Sequence, residues 1–186
     1  ALEKPGQFVK PLHIERRADA LATHFDRKGC NFHQLAARRA LQVERGKAAY
    51  EFSDGTIGDV VARAVEACRL RAERESVTLD LKIADELPIV RRDERAIEIA
   101  VINLVDNAVE ATERSGRIVV ETSRDAANNL VRVVVADNGP GIPLAEREKL
   151  FLPYYSTKRR GSGLGLAIVR RIIAEHGGSI EVSDNV

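Results

Sequence analysis

Apolar residues recur at helical spacing over some stretches of the chain and at every second position over others, and the change of rhythm marks its elements. Ile57, Val60, Val61, Ala64, Val65, Cys68 and Ala72 share one face of a 3.6-residue repeat, which predicts an amphipathic helix from Ile57 to Glu75. Val77 to Ile83 then alternates as a half-buried strand does, and Pro88 opens another short strand. Glu94 to Glu113 returns to the helical period, with Ile97, Ala100, Val101, Leu104, Val105 and Ala108 on its apolar stripe, until Gly116 breaks it. Arg117–Ser123 and Leu130–Ala136 are rich in valine and isoleucine and flank the polar run 125–129, so they predict a hairpin. A long punctuated connection follows, with a short helix near Leu144–Leu150, then an apolar helix from Ser162 to His176. Gly177-Gly178 ends that helix, and Ser179–Ser183 is a last strand. Strands and helices in this arrangement predict a two-layer α/β sandwich over residues 49–186.

The first 48 residues differ. They are basic, polar and alanine-rich, with helical patterns from Leu12 to about Phe25 and from Phe32 to about Gly46 around a turn holding Gly29. This predicts a helical hairpin. Its few large apolar residues cannot stabilise it alone, so it is expected to pair with a second copy or pack on the next domain.

At 186 residues the chain is long enough for one good core and a smaller appendage. Its 44% hydrophobic and 31% charged residues fit a folded domain rather than a disordered one. The formal net charge of +1 gives no electrostatic reason to expect nucleic acid or a membrane surface as partner. Cys30 and Cys68 match no metal spacing and no disulfide framework, which favours a reducing, cytoplasmic setting. No apolar run nears the roughly 20 residues of a membrane span. A chain that begins at Ala1 and lacks methionine is expected to be part of a longer protein, whose other segments could anchor it in a membrane.

Three groups suggest chemistry. Asn103 and Asn107, four apart on one helix, stack one turn above the other at the edge of the apolar stripe, and a carboxamide oxygen suits Mg²⁺. Asp137-Asn138-Gly139-Pro140-Gly141 follows a strand. Asp137 can accept from an exocyclic amine of a base, and the glycines let backbone approach a flat ring. Lys158-Arg159-Arg160-Gly161-Ser162-Gly163-Leu164-Gly165 opens a helix whose free N–H groups and dipole favour anions. Each has a plainer explanation alone: two solvated amides, an ordinary turn, a flexible loop with Ser162 as helix cap. The glycines fit neither the P-loop nor the dinucleotide fingerprint. Phe151 to Lys158, between the two glycine groups, holds Tyr154 and Tyr155 and is a candidate lid.

In order, these segments resemble the catalytic ATP-binding domain of sensor histidine kinases, within the gyrase, chaperone and mismatch-repair ATPase superfamily. The asparagine box is similar to Ile102–Ala111 and the first glycine box to Asp137–Ile142. The phenylalanine box is similar to Leu150–Lys158 and the second glycine box to Gly161–Val169. His176-Gly177-Gly178 is also typical, and the lid wording is nearest to nitrogen-regulation sensor kinases. The resemblance implies a Bergerat-type fold that holds Mg²⁺ and ATP. Asn107 would be the metal ligand, Asp137 would bind adenine, and Gly163 and Gly165 would meet the phosphates. Gly139, Gly141, Gly161 and Leu164 would complete the nucleotide-binding set. Asn103 and Lys158 would lie nearest the chemistry, with Lys158 also a phosphate contact. Hydrolysing relatives carry glutamate where this chain has Asn103. A neutral amide is a poor general base, so transfer to another acceptor is favoured over hydrolysis.

The implied function is transfer of the γ-phosphoryl to a histidine, for relay to an aspartate of a response regulator receiver domain, in a homodimer formed through the N-terminal helices. The chain departs from that pattern in three places. None of His13, His24, His33 and His176 precedes an acidic residue, as a phosphoacceptor would. Lys10-Pro11-Leu12 resembles the end of an acceptor motif, but Gly6 stands where the histidine belongs. The strand the family usually has after Val186 is missing, which predicts an exposed sheet edge. A non-catalytic ATP-binding regulatory module and a serine kinase of the same superfamily are the alternative functions.

Overall fold

The computed structural model describes residues 50–112, 115–127, 130–156 and 162–183, together with the backbone of Leu12–Ala18. The amphipathic helix predicted from Ile57 is α1, Gly58–Arg74; it buries six of the seven residues its periodicity selects, and the seventh, Ile57, is buried at its N-cap position. Strand β3, Thr78–Ile83, follows, and the short β2, Ser53–Gly55, pairs antiparallel with β4, Val90–Arg92. Helix α2, Glu94–Ala111, starts on Asp93, whose Oδ1 accepts from the Ala96 N–H at 2.9 Å and satisfies one of the first-turn amides. Strands β5, Arg117–Asp125, and β6, Leu130–Asp137, form the predicted antiparallel hairpin. The expected short helix divides into α3, Leu144–Arg147, and a 3₁₀ turn, Lys149–Phe151. Helix α4, Gly165–Glu175, and strand β7, Ser179–Ser183, close the described chain.

The helices α1, α2 and α4 lie on one face of a sheet, the two-layer α/β sandwich expected from the pattern. Period-two burial puts Val131, Val133 and Val135 of β6 beneath the helices. The same alternation carries on to Asp137, which is only 1% exposed. Strand register thus delivers a carboxylate to the helix-facing side of the sheet at the end of β6.

Residues Leu12–Ala18, expected to begin a helix, form a strand, β1. It runs parallel to both β6 and β7 and lies between them in the order β3-β5-β6-β1-β7. Two physical facts favour the strand. Leu12 and Ile14 alternate with His13 and Glu15, and the edges of β6 and β7 pair the backbone on both sides, whereas a short helix with few apolar residues to bury is marginal. The rest of the predicted hairpin, residues 19–48, lies outside the described residues. Among the described residues, β3 and β7 are the outer strands of this sheet.

Candidate nucleotide site

Asn103 and Asn107 are oriented by their own helix. The Asn103 Nδ2 donates to the Ile99 carbonyl at 2.8 Å, and the Asn107 Nδ2 donates to the Asn103 carbonyl at 2.7 Å. Each NH₂ is therefore turned back along α2. Asn103 is buried to 7% exposure, not solvated, and its Oδ1 faces the first residue of α4: a Cβ built on Gly165 would lie 3.0 Å from it. The same Cβ would lie 3.7 Å from the Asn107 Nδ2. The asparagine pair and the helix-opening glycine are thus in one place, and only a residue without a side chain lets them approach so closely.

Asp137 lies in the turn after β6, where its Oδ1 accepts from the Gly139 N–H at 3.1 Å. A Cβ on Gly139 would come within 2.7 Å of the Ala111 carbonyl, so this glycine brings the turn against the end of α2. Asn138 is tied to Arg117: its Oδ1 accepts the Arg117 N–H at 2.7 Å, and its own N–H donates to the Arg117 carbonyl. Gly141 follows with φ of 71°.

Helix α4 begins at Gly165, not at Ser162. Its cap position is Leu164, and no side chain caps it. Ser162 lies two residues before that position, its Oγ accepting from the Leu164 N–H at 3.4 Å. Gly163 has φ of 66°, in the left-handed region, and a Cβ there would strike the Tyr154 carbonyl carbon at 2.5 Å. The Tyr154 N–H donates to the Gly163 carbonyl at 3.0 Å. The glycine expected at phosphate is packed on the backbone of the candidate lid. Lys158 and Gly161 lie outside the described residues.

Three groups support the site in ways that sequence reasoning did not assign. Arg71 of α1 reaches Asp106 and Glu110 of α2 at 2.7 Å each, locking the asparagine helix to its neighbour. Asp93 caps α2, a role its place before Glu94 could have signalled. His176, at the end of α4, accepts the Asp93 N–H on Nε2 at 2.9 Å. Nothing local in the sequence connects residues 93 and 176.

A nucleotide-type site of this make-up, on a sandwich of this topology, agrees with comparison to known proteins. The profile described as "Histidine kinase-, DNA gyrase B-, and HSP90-like ATPase" matches residues 92–186, and the chain belongs to that family. Among its relatives is the signal transduction histidine-protein kinase/phosphatase MprB of Mycobacterium sp. (strain KMS), 39% identical over 77% of this chain and 27% of the relative. Another is the nitrogen regulation protein NtrY of Azorhizobium caulinodans, 37% identical over 62% of this chain and 15% of the relative. The latter agrees with the nitrogen-regulation wording of the lid. The solved structure of full-length ShkA in complex with AMPPNP superposes with a TM-score of 0.64 at 29% identity, over 77% of this chain and 31% of that one. Histidine kinase ThkA in complex with response regulator protein TrrA shares the fold, with a TM-score of 0.60 at 24% identity, over 80% of this chain and 43% of that one. The chain spans between 15% and 37% of the length of the curated relatives it matches.

Proposed function

We propose that this chain is the ATP-binding catalytic domain of a two-component sensor histidine kinase, passing the γ-phosphoryl of Mg·ATP to a histidine for relay to a response regulator aspartate. The observation that carries the reading is the meeting of Asn103, Asn107 and Gly165. Both carboxamides spend their NH₂ groups on α2, which leaves the Oδ1 atoms as acceptors or ligands beside an uncapped helix N-terminus. That donor set fits the implied metal: Mg²⁺ takes oxygen ligands, and Asn107 would hold it by Oδ1. Bound there, the ion would neutralise phosphate charge. The first turn of α4, from Gly165, would receive phosphate oxygens on its N–H groups. Asp137 would take the amine of adenine, a bond strengthened by its near-complete burial.

Asn103 favours transfer over hydrolysis. Its amide has no basic site to accept a proton from water, and its NH₂ is already bonded to Ile99. What the chain contributes is position and charge complementarity, the main requirements of phosphoryl transfer. A receiver domain is the partner this reading implies, and among the described residues no helix is long and apolar enough to cross a membrane. Homodimerisation would fall to the N-terminal region.

The test has two arms. Calorimetry of this chain with Mg²⁺ and AMPPNP should show saturable binding at one site. The full-length parent, given ATP labelled in the γ position, should acquire acid-labile phosphate. A parent that binds ATP but labels neither itself nor a receiver domain would rule out the kinase and leave a regulatory module; acid-stable label would point to serine.

A further inference from the structure

His176 has no part in the nucleotide site, yet it closes the far end of both helices that build it. Helix α2 runs from Asp93 towards Asn103 and Asn107, and α4 runs from Gly165 to His176. At 1.5 Å per residue, each helix separates the histidine from the site by about 15 Å. At that remote end the Asp93 N–H donates to His176 Nε2 at 2.9 Å, so Nδ1 carries the hydrogen and donates to the Ile172 carbonyl at 2.7 Å. One neutral imidazole thereby joins the start of α2 to the last turn of α4.

The segment entering the domain is packed on that ring. The centroid of Phe52 is 4.9 Å from it, tilted, and that of Tyr50 is 5.8 Å away, edge-on. Between them the Glu51 N–H donates to Asp93 Oδ2 at 2.7 Å, while the other oxygen caps α2. Asp93 and His176 together therefore hold three chain segments: the entry arm 50–52, α2 and α4. The charged and titratable groups acting on this joint are Asp93 itself, Glu175 beside the imidazole, the Tyr50 phenol, Arg171 near that phenol, and Arg91, whose guanidinium lies 5.5 Å from the Phe52 ring centre.

We propose that His176 is a positioning residue whose neutral, Nδ1-protonated ring clamps the entry arm Tyr50–Phe52 to the paired ends of α2 and α4 and so sets the approach of Asn103 to Gly165 that nucleotide requires. The inference rests on the nucleotide reading above. Movement of whatever precedes Tyr50 reaches the site through this clamp, because the arm touches both helices at once. A proton added at Nε2 would face the Asp93 N–H, removing the acceptor and loosening the joint. Burial opposes that proton and holds His176 below the ordinary imidazole value, with the Ile172 bond, Asp93 and Glu175 offsetting part of the effect.

Coupling between two sites is reciprocal, which yields a test free of catalysis. The imidazole nitrogens of the ¹⁵N-labelled chain are followed by NMR through a pH titration, alone and with saturating Mg²⁺ and AMPPNP, occupancy being checked by calorimetry. The expected result is the Nδ1–H tautomer at neutral pH and a midpoint that falls when nucleotide binds, by about half a unit to one unit, matching a three- to tenfold loss of affinity on protonation. The negative nucleotide acting merely through space would raise the midpoint, so the sign separates positioning from a field effect. His176→Gln, whose amide oxygen can accept the Asp93 N–H, should bind AMPPNP within about twofold of the parent chain and lose the histidine-dependent pH step. An unmoved or raised midpoint, or an Nε2–H tautomer, overturns the proposal. No heat of binding from the unaltered chain would instead overturn the nucleotide reading, and this proposal with it.

Discussion

The Oδ1 of Asn103 lies 3.0 Å from where a Cβ on Gly165 would stand. Gly165→Ala is therefore expected to act on binding more than on folding. Alanine at a helical position favours the helix by up to about 1 kcal/mol, while the new methyl presses on the oxygen and narrows the space before Asn107. AMPPNP affinity by calorimetry should fall about tenfold or more, with thermal midpoint within a few degrees of the parent chain.

Asn107→Asp removes the NH₂ that donates to the Asn103 carbonyl and puts a carboxylate oxygen 2.7 Å from it. The new anion must swing away, taking the proposed metal-ligand position with it, and it would also face the triphosphate. Titration with Mg²⁺ and AMPPNP should show at least a tenfold weaker complex, and circular dichroism an intact fold.

Asp137→Asn keeps an acceptor for the Gly139 N–H but replaces the second carboxylate oxygen by a donor. If position 137 binds the adenine amine as proposed, that donor would leave two N–H groups opposed in a buried site, at a cost of about 1–3 kcal/mol. Competition between adenine and guanine nucleotides would read this directly, with the preference for adenine reduced. Undiminished adenine selectivity would remove Asp137 from the base site.

Arg71→Leu tests the support behind the asparagine helix. The change takes the guanidinium at 2.7 Å from Asp106, 8% exposed, and losing a charged hydrogen-bond partner at such a site costs about 1–3 kcal/mol. The urea midpoint should drop accordingly. Cys68 offers a second readout: burial first and Asp106 second push its thiol up to about 12, so it should resist alkylation until the domain opens. The variant should expose it sooner.

Stability should decline in mild acid. His176 is held below its usual value of 6.5 when folded, so below that pH the unfolded chain binds more protons than the folded one. Its contribution is fully present above about 6.5 and is lost as pH falls from there through the folded value. Urea unfolding at pH 7.5 and 5.5, compared with His176→Gln, should show a smaller loss in the variant.

Where burial obeys a local period, the sequence could be read directly. The face from Ile57 to Ala72 is an example: all seven apolar residues that the period selects are buried, with Gly58 beside them. The β5–β6 hairpin and the Asn103–Asn107 stack were legible for the same reason. Gly163 was legible as a glycine but not in its contact, because no local pattern signals that the Tyr154 backbone lies against it. Leu12–Ala18 misled, since alanine-rich composition around it favours helix and only the partners β6 and β7 make it a strand. The clamp at His176 was invisible because its geometry depends on residues 50, 52, 93 and 172 arriving together.

Because β1 separates β6 from β7, completing the sheet means joining chain positions roughly 165 residues apart, such as His13 with Ser179. Contacts of such long sequence separation form slowly, since the loop they close must first surrender its entropy. A ribosome would have to release β7 before this seam could zip, so the outermost strand is the natural last piece to join the sheet and the first place for early fraying.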